Sequence, residues 1–246
     1  MYHKKIELKE GAFIISDAHY SHQRPALLSF IQEIHSKKLC PSQLIFMGDI
    51  FDTLFGGIDY TYTENQTLIK LINGISLEIE VIYLEGNHDF NLGEIFLNAV
   101  VYPIQNQPVL TTYKDKKVYL AHGDFDGETF YKIYTALIRN PFVLFILKYI
   151  DLIFNHIILK KLDIYLAKKD DCKKFRGFEK FIEKRFANRF KSDYFIEGHF
   201  HQNESFTINE FNYINLGAFA CNQRYFIIEY SKDSSILIEK KFSKEK

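Results

Sequence analysis

Five places in this chain set histidine, aspartate or asparagine just past a short apolar run. They are Asp17 and His19 in "IISDAH", Asp49 and Asp52 in "IFMGDIFD", Asn87, His88 and Asp89 in "YLEGNHDF", His122 and Asp124 in "YLAHGD", and His199 and His201 in "FIEGHFHQ". Singly, each also reads as a turn, since Gly-Asp and Gly-Asn are common turn dipeptides. Together they offer carboxylate, imidazole and amide oxygen without thiolate. That mixture suits Mn²⁺, Fe²⁺ or Zn²⁺ in five- or six-coordinate sites better than a closed tetrahedral zinc. Asp17, His19, Asp49, Asn87, His122, His199 and His201 are too many donors for one such ion once water takes its share, and about right for two ions sharing a carboxylate. A pair of divalent ions clamps a phosphate ester for in-line displacement and lowers the pKa of a water held between them.

The elements that must position these donors follow from periodicity. Buried strands are expected in 11–19, 43–52, 80–90, 116–124 and 193–201, each running into one of the polar clusters. Helices are expected at 24–38, with Pro25 near its start, and at 63–75. A long helical stretch covers 128–190, very apolar up to Leu166 and lysine-rich after it. Late strands follow at 211–219 and, as a closing hairpin, over 224–242. The fold class is α/β, with a helical insertion, and ligands of such sheets gather where strands end.

With 246 residues, 47% of them apolar and 25% charged, the chain can bury a full core as a single domain. Its net charge of zero is unevenly spread. Thr129 to Lys191 holds 15 Lys/Arg against 6 Asp/Glu, a net +9, and the remainder carries −9. Such a basic segment points to anionic partners. Cys40, Cys172 and Cys221 are odd in number and scattered, which argues against a disulfide framework and for a reducing compartment. The N-terminus lacks the pattern of a signal peptide, and Lys148 and Asp151 interrupt the most apolar run, 141–154. A cytoplasmic protein is expected.

Asp17-x-His19, Gly48-Asp49-x-x-Asp52, Gly86-Asn87-His88-Asp89, His122 in "AHGD" and Gly198-His199-x-His201 resemble, in order, the five motifs of the calcineurin-like metallophosphoesterases. The resemblance implies a two-sheet sandwich flanked by helices. It implies one metal held by Asp17, His19, Asp49 and His201, and a second by Asp49, Asn87, His122 and His199, with Mn²⁺ foremost. His88 would stabilise phosphoryl charge or protonate the leaving group, and Asp89 joins it as a catalytic candidate. Asp52, Asp124 and Asp89 would either orient neighbouring imidazoles or cap loops.

The segment after His122 resembles the helical cap of UDP-2,3-diacylglucosamine pyrophosphatases, enzymes of lipid A synthesis. The shared features are "HGD", a nearby acidic residue, a Tyr, and Arg139-Asn140-Pro141 leading into an apolar helix. That implies a cap over 126–170 and substrate contacts from Arg139, Asn140, Lys168 and Lys169. The expected partner is a nucleotide-linked glycolipid on the cytoplasmic face of the inner membrane, touched peripherally through the cap. The subfamily commonly has Arg after the motif-three Asn, where this chain has His88. Other phosphoesters and a non-catalytic scaffold stay open as alternatives. The aliphatic richness of the basic segment is unlike a nucleic-acid groove. The lysines after the apolar run, including Lys160, Lys161, Lys173 and Lys174, suit a diphosphate or an anionic membrane surface.

Overall fold

The computed structural model describes residues 6–186, 189–208, 210–229 and 236–243. The first half alternates strand and helix: β1 (Phe13–Ile15), α1 (Ala26–His35), β2 (Leu44–Phe46), β3 (Leu54–Phe55), α2 (Asp59–Ile75), β4 (Val81–Leu84), β5 (Asp89–Phe90), β6 (Val100–Tyr102), β7 (Val109–Tyr113) and β8 (Lys116–Ala121). Four helices follow, α3 (Thr129–Ile138), α4 (Pro141–Ile153), α5 (Ile157–Leu166) and α6 (Phe178–Phe186). The chain then runs through β9 (Tyr194–Glu197), β10 (Glu204–Ile208), β11 (Phe211–Asn215), α7 (Phe219–Asn222), β12 (Arg224–Ile228) and β13 (Leu237–Lys241). β12 and β13 pair antiparallel as the expected hairpin, whose turn lies outside the described residues.

Two sheets face each other. One has the order β13-β12-β1-β2-β4-β6, with β1, β2, β4 and β6 parallel. The other has the order β10-β11-β9-β8-β7, with β8, β9 and β11 parallel. Alternation along the strands decides which layer each side chain joins. Ile14, Ile45 and Ile82 meet Val118, Leu120 and Ile196 between the sheets. Their neighbours Phe13, Ile15, Leu44, Phe46, Val81 and Tyr83 pack against Leu27, Phe30 and Ile31 of α1 and Leu68, Ile69 and Ile72 of α2. On the opposite face, Phe178, Ile182 and Phe186 of α6 cover Phe195, Phe211 and Tyr213. The layers are helix, sheet, sheet, helix.

Strands β3, β6, β7 and β10 are not among the expected elements. β10 is an edge strand with alternating partial exposure, and its apolar signal is correspondingly thin. The long helical stretch divides into four helices. Asn140 accepts hydrogen bonds from the amides of Phe142 and Val143, and Pro141 follows it, so α4 starts afresh there. Asp151, inside α4, accepts from the amides of Ile158 and Leu159 and pairs with His156, capping α5 and turning the chain. Consequently α4 and α5 meet at a 100° bend. No single helix among the described residues is long and apolar enough to cross a membrane.

Helices α3 to α5 fall within 126–170, and the last two are anchored by Leu144 and Leu159 packing on Ile58 and Phe90. Thr53 also bonds Asp163 of α5 at 3.0 Å. One cysteine expectation fails: Cys172 and Cys221 form a disulfide, and Cys40 alone is free. Forty-nine residues separate them in sequence, but the fold sets the loop after α5 against α7 with their Cα atoms 5.7 Å apart, within bonding range.

Candidate metal centre

All five motifs lie just past strands β1, β2, β4, β8 and β9, so the two sheets deliver their polar ends to one locus. The loops leave the strands abruptly. Asp17, His19, Asp49, His199 and His201 all adopt positive φ, between 45° and 62°. Left-handed backbone is uncommon for residues other than glycine and gathers where the surrounding structure dictates it, functional sites above all. Gly48, at φ 88°, goes further, and a Cβ there would sit 2.5 Å from His122 Nδ1.

The donors fall into sets. Asp17, His19 and His201 offer ligand atoms within 4.8 Å of one another, as do Asp49, His122 and His199. The first set lacks Asp49, which the motif resemblance placed in both. Asn87 joins the second set, its Oδ1 3.3 Å from His122 Nε2. A third set, His19, Asp52 and His88, overlaps the first through His19.

Backbone carbonyls select the tautomers. His122 Nδ1 lies 2.9 Å from Met47 O, His88 Nδ1 lies 2.9 Å from Asp52 O, and His201 Nδ1 contacts Asp171 O. A carbonyl only accepts, so each Nδ1 carries a proton and each Nε2 is the ring atom left to face the site. His201 Nε2 is 3.0 Å from Asp17 Oδ1, and His122 Nε2 is 3.3 Å from Asp49 Oδ2.

The charges behave as a ligand set should. Burial would raise the Asp17 carboxyl, but the His201 imidazole beside it outweighs that and holds it down at about 2. Burial opposes ionisation of Asp49 as well, and His122 and His88 bring it well below the ordinary carboxylate range. Burial depresses His199 to about 4, with the neighbouring His122 charge adding to the effect, so its ring is neutral. His19 is 1% exposed, and neither ring nitrogen has a hydrogen-bond partner, although Nδ1 lies 3.2 Å from Asp52 Oδ1. A buried imidazole without a hydrogen bond is what a cation ligand looks like when protein atoms alone are considered. Against burial, Asp49 raises His122 well above the ordinary imidazole and Asp17 raises His201. Ionised carboxylates facing imidazoles, with one ring unpartnered, thus fit divalent ions. When bound, such ions polarise phosphoryl oxygens and lower the pKa of water between them.

The remaining expected residues sort by contact. Asp52 lies beside His19 and 3.9 Å from Arg24. Asp124 accepts from Tyr131 at 2.9 Å and faces Arg139 Nη2 at 3.7 Å, touching no imidazole by hydrogen bond. Asp89 corrects its catalytic assignment. Its oxygens accept from the amides of Asp49, Ile50, Phe51 and Gly86 and from the Tyr83 hydroxyl, so it clasps loops two and three. Burial and the Asp49 charge push that carboxyl up to about 7, with the Tyr83 and Gly86 donors pulling against them.

Arg139 is 5% exposed, donates to Gly86 O at 2.8 Å and lies over the Phe90 ring. Its Nε and Nη1 have no partner, which leaves donors free beside the metal-binding loops. Asn140, by contrast, is spent on capping α4 and is exposed, a correction to its expected substrate contact. Lys168 and Lys169 sit exposed after α5, and Lys169 lies 3.5 Å from Asp171. Neither touches a residue of the ligand sets by hydrogen bond or ion pair. Sequence reading missed Arg24 and Asp171, a contact spanning 147 residues with no local signal. Arg24 joins Asp52, Asp171 and the carbonyl of Leu166, linking the end of α5 to the first ligand set.

A UDP-2,3-diacylglucosamine hydrolase of Aromatoleum aromaticum is 30% identical over 134 residues, 53% of this chain and 55% of that one. The enzyme of the same name from Pseudomonas fluorescens is 27% identical over 152 residues, 61% of each chain. The chain thus spans little more than half the length of these relatives. The solved phosphoesterase Yfce from E. coli aligns over 93% of this chain and 97% of its own, at 14% identity and a TM-score of 0.48. The calcineurin-like phosphoesterase family profile matches residues 12–203, a span that opens just before β1 and closes just after His201. With its motifs at the strand ends and two sheets meeting at the donor sets, the chain belongs to the calcineurin-like phosphoesterase family.

Proposed function

We propose that the chain is a metal-dependent hydrolase that cleaves UDP-2,3-diacylglucosamine to UMP and 2,3-diacylglucosamine 1-phosphate. The observation that carries this reading is the apolar surface of α3 to α5 beside the donor sets. Phe130 is 86% exposed, Phe142 71% and Ile153 78%, and Phe145, Leu152, Phe154 and Ile157 are exposed with them. So much exposed apolar surface on one insertion is more than a solvated helix needs, and it suits acyl chains. The names of the relatives support the same substrate.

Hydrolysis adds a water oxygen to the α-phosphorus and breaks its bond to the bridging oxygen. Asp17, His19, Asp49 and His201 would hold one ion, and Asp49, Asn87, His122 and His199 the other, with Mn²⁺ the first candidate. His88, its Nδ1 proton committed to Asp52 O, would deliver a proton from Nε2 to the departing oxygen only as the imidazolium, with a second proton taken up on Nε2 beforehand. Arg139 would offer its free Nε and Nη1 to phosphoryl oxygens. The exposed apolar helices, with Lys148, Lys160 and Lys161 among them, would rest on the cytoplasmic face of an inner membrane.

The test is a side-by-side assay of Mn²⁺-loaded protein on UDP-2,3-diacylglucosamine and on bis-p-nitrophenyl phosphate. UMP release at far higher kcat/KM than diester cleavage is the expected result. Turnover of the diester alone would leave a phosphoesterase of other specificity, and turnover of neither would favour a scaffold.

A further inference from the structure

Gln202, the last residue of "EGHFHQ", belongs to no ligand set, yet it is 3% exposed and its amide is fully engaged. Its Oε1 accepts from the Phe175 amide at 2.8 Å, and its Nε2 donates to the carbonyls of Lys173 and Phe200. Its own carbonyl accepts from Lys174 Nζ at 2.7 Å. A buried amide therefore holds the loop between α5 and α6 against the fifth motif, and the Cys172–Cys221 disulfide fixes the same loop to α7. What this builds is a cavity of about 800 Å³ whose wall includes His199, Phe200, Phe175, Lys173 and Arg176.

The wall has two chemistries. Lys173 and Arg176 have no carboxylate partner among the described residues, so their charge is unspent. Phe175 is 40% exposed and is backed by Phe178 and Phe181, with ring centroids 5.7 and 5.1 Å away. A firmly backed aromatic with an open face accepts a nucleobase by stacking, and neighbouring cations accept phosphate. His199, a donor of the second set, lines the cavity, whereas the buried anchors of the cap, Leu144 and Leu159, lie against Ile58 and Phe90. An apolar substrate half and a polar one would leave the centre by different routes.

We propose that this cavity receives the nucleoside monophosphate half of the substrate, with the base on Phe175 and the phosphate charge met by Lys173 and Arg176. The proposal rests on the reading that the substrate is a nucleotide-linked lipid. Hydrolysis leaves the nucleotide as a monoester, whose charge near neutral pH is about −1.5 to −2. The two free cations favour that product state.

Calorimetric titration of the Mn²⁺-loaded protein with UMP, uridine and inorganic phosphate tests this. UMP is expected to bind at least about tenfold more tightly than either fragment. The double variant Lys173→Ala/Arg176→Ala should weaken UMP about tenfold or more, and Phe175→Ala should weaken UMP while leaving phosphate within about twofold. Equal affinities for UMP and phosphate would overturn the proposal, as would a double variant that melts like wild type and retains UMP affinity. Limited trypsinolysis of wild type gives a second readout that needs no variant. UMP, but not phosphate, should slow cleavage after Lys173 and Arg176; unchanged cleavage would count against the cavity. UMP binding through these residues without lipid turnover would keep the cavity and discard the lipid reading. Lipid turnover undiminished in the double variant would do the reverse.

Discussion

Replacing Asp89 by asparagine isolates the clasp that joins loops two and three. Oδ1 accepts from the Asp49 and Gly86 amides, both at 3.0 Å, and Oδ2 from the Ile50 amide at 2.7 Å, the Phe51 amide at 3.3 Å and the Tyr83 hydroxyl at 2.6 Å. Every neighbour donates, so an ionised acceptor fits and an amide NH₂ does not. In the better orientation Asn keeps the three bonds at the Oδ2 position and turns its NH₂ on the amides of Asp49 and Gly86; Gly86 still reaches the carbonyl of residue 89 at 3.1 Å, whereas the Asp49 amide is stranded. A buried amide left unsatisfied costs about 1–3 kcal/mol, so the loss is about 2 kcal/mol. For a chain of this size that is about 4–8 °C in Tm. The measurement is thermal unfolding at pH 8, where the carboxyl is ionised, with a chelator present so that no metal contributes. A variant melting within about 2 °C of wild type would refute the clasp and reopen a catalytic role for Asp89.

Three further outcomes follow from contacts. Arg139→Ala should lower kcat/KM on the lipid substrate about 100-fold, and by less than about tenfold on bis-p-nitrophenyl phosphate, because its free Nε and Nη1 would serve the larger substrate; equal losses would show that Arg139 only supports Gly86 and Asp124. Asn140→Ala should cost about 1 kcal/mol through the lost cap of α4 and leave turnover unchanged, and a selective rise in KM would restore it as a substrate contact. Asp193 is held below the usual carboxylate range, first by the Lys117 amide and then by Lys116. Its stabilisation is therefore present above the unfolded pKa and lost as pH falls through the lower folded value. Asp193→Asn should melt below wild type at pH 6, and the gap should begin to close near pH 3.9 and vanish only once pH has fallen through the lower folded value; a gap that persists in strong acid would contradict the sign.

The candidate donors are legible in the sequence because each follows an apolar strand, and parallel strands bring such ends together. Asp17 and His199 lie 182 residues apart in sequence, yet the His199 amide donates to both Asp17 oxygens. Periodicity also exposed the layered α/β plan and the apolar insertion. It could not show where the insertion breaks, because Asp151 caps α5 from inside α4, a contact between helices. Nor could it pair Cys172 with Cys221 or Arg24 with Asp171, since those contacts depend on the loop after α5 returning to α7 and α1. Asp89 was misread for a related reason. A carboxylate inside a motif looks catalytic until its five donors are seen.

The central proposal is that Asp49 serves both ions. Counting Mn²⁺ per chain after equilibrium dialysis tests it most directly, in wild type, His201→Ala, His122→Ala and Asp49→Ala, with far-ultraviolet circular dichroism to confirm that each is folded. The expected counts are about two for wild type, about one for each folded histidine variant, and fewer than one for Asp49→Ala. One ion in wild type, or a folded Asp49→Ala variant that still holds two, would contradict the shared-carboxylate centre.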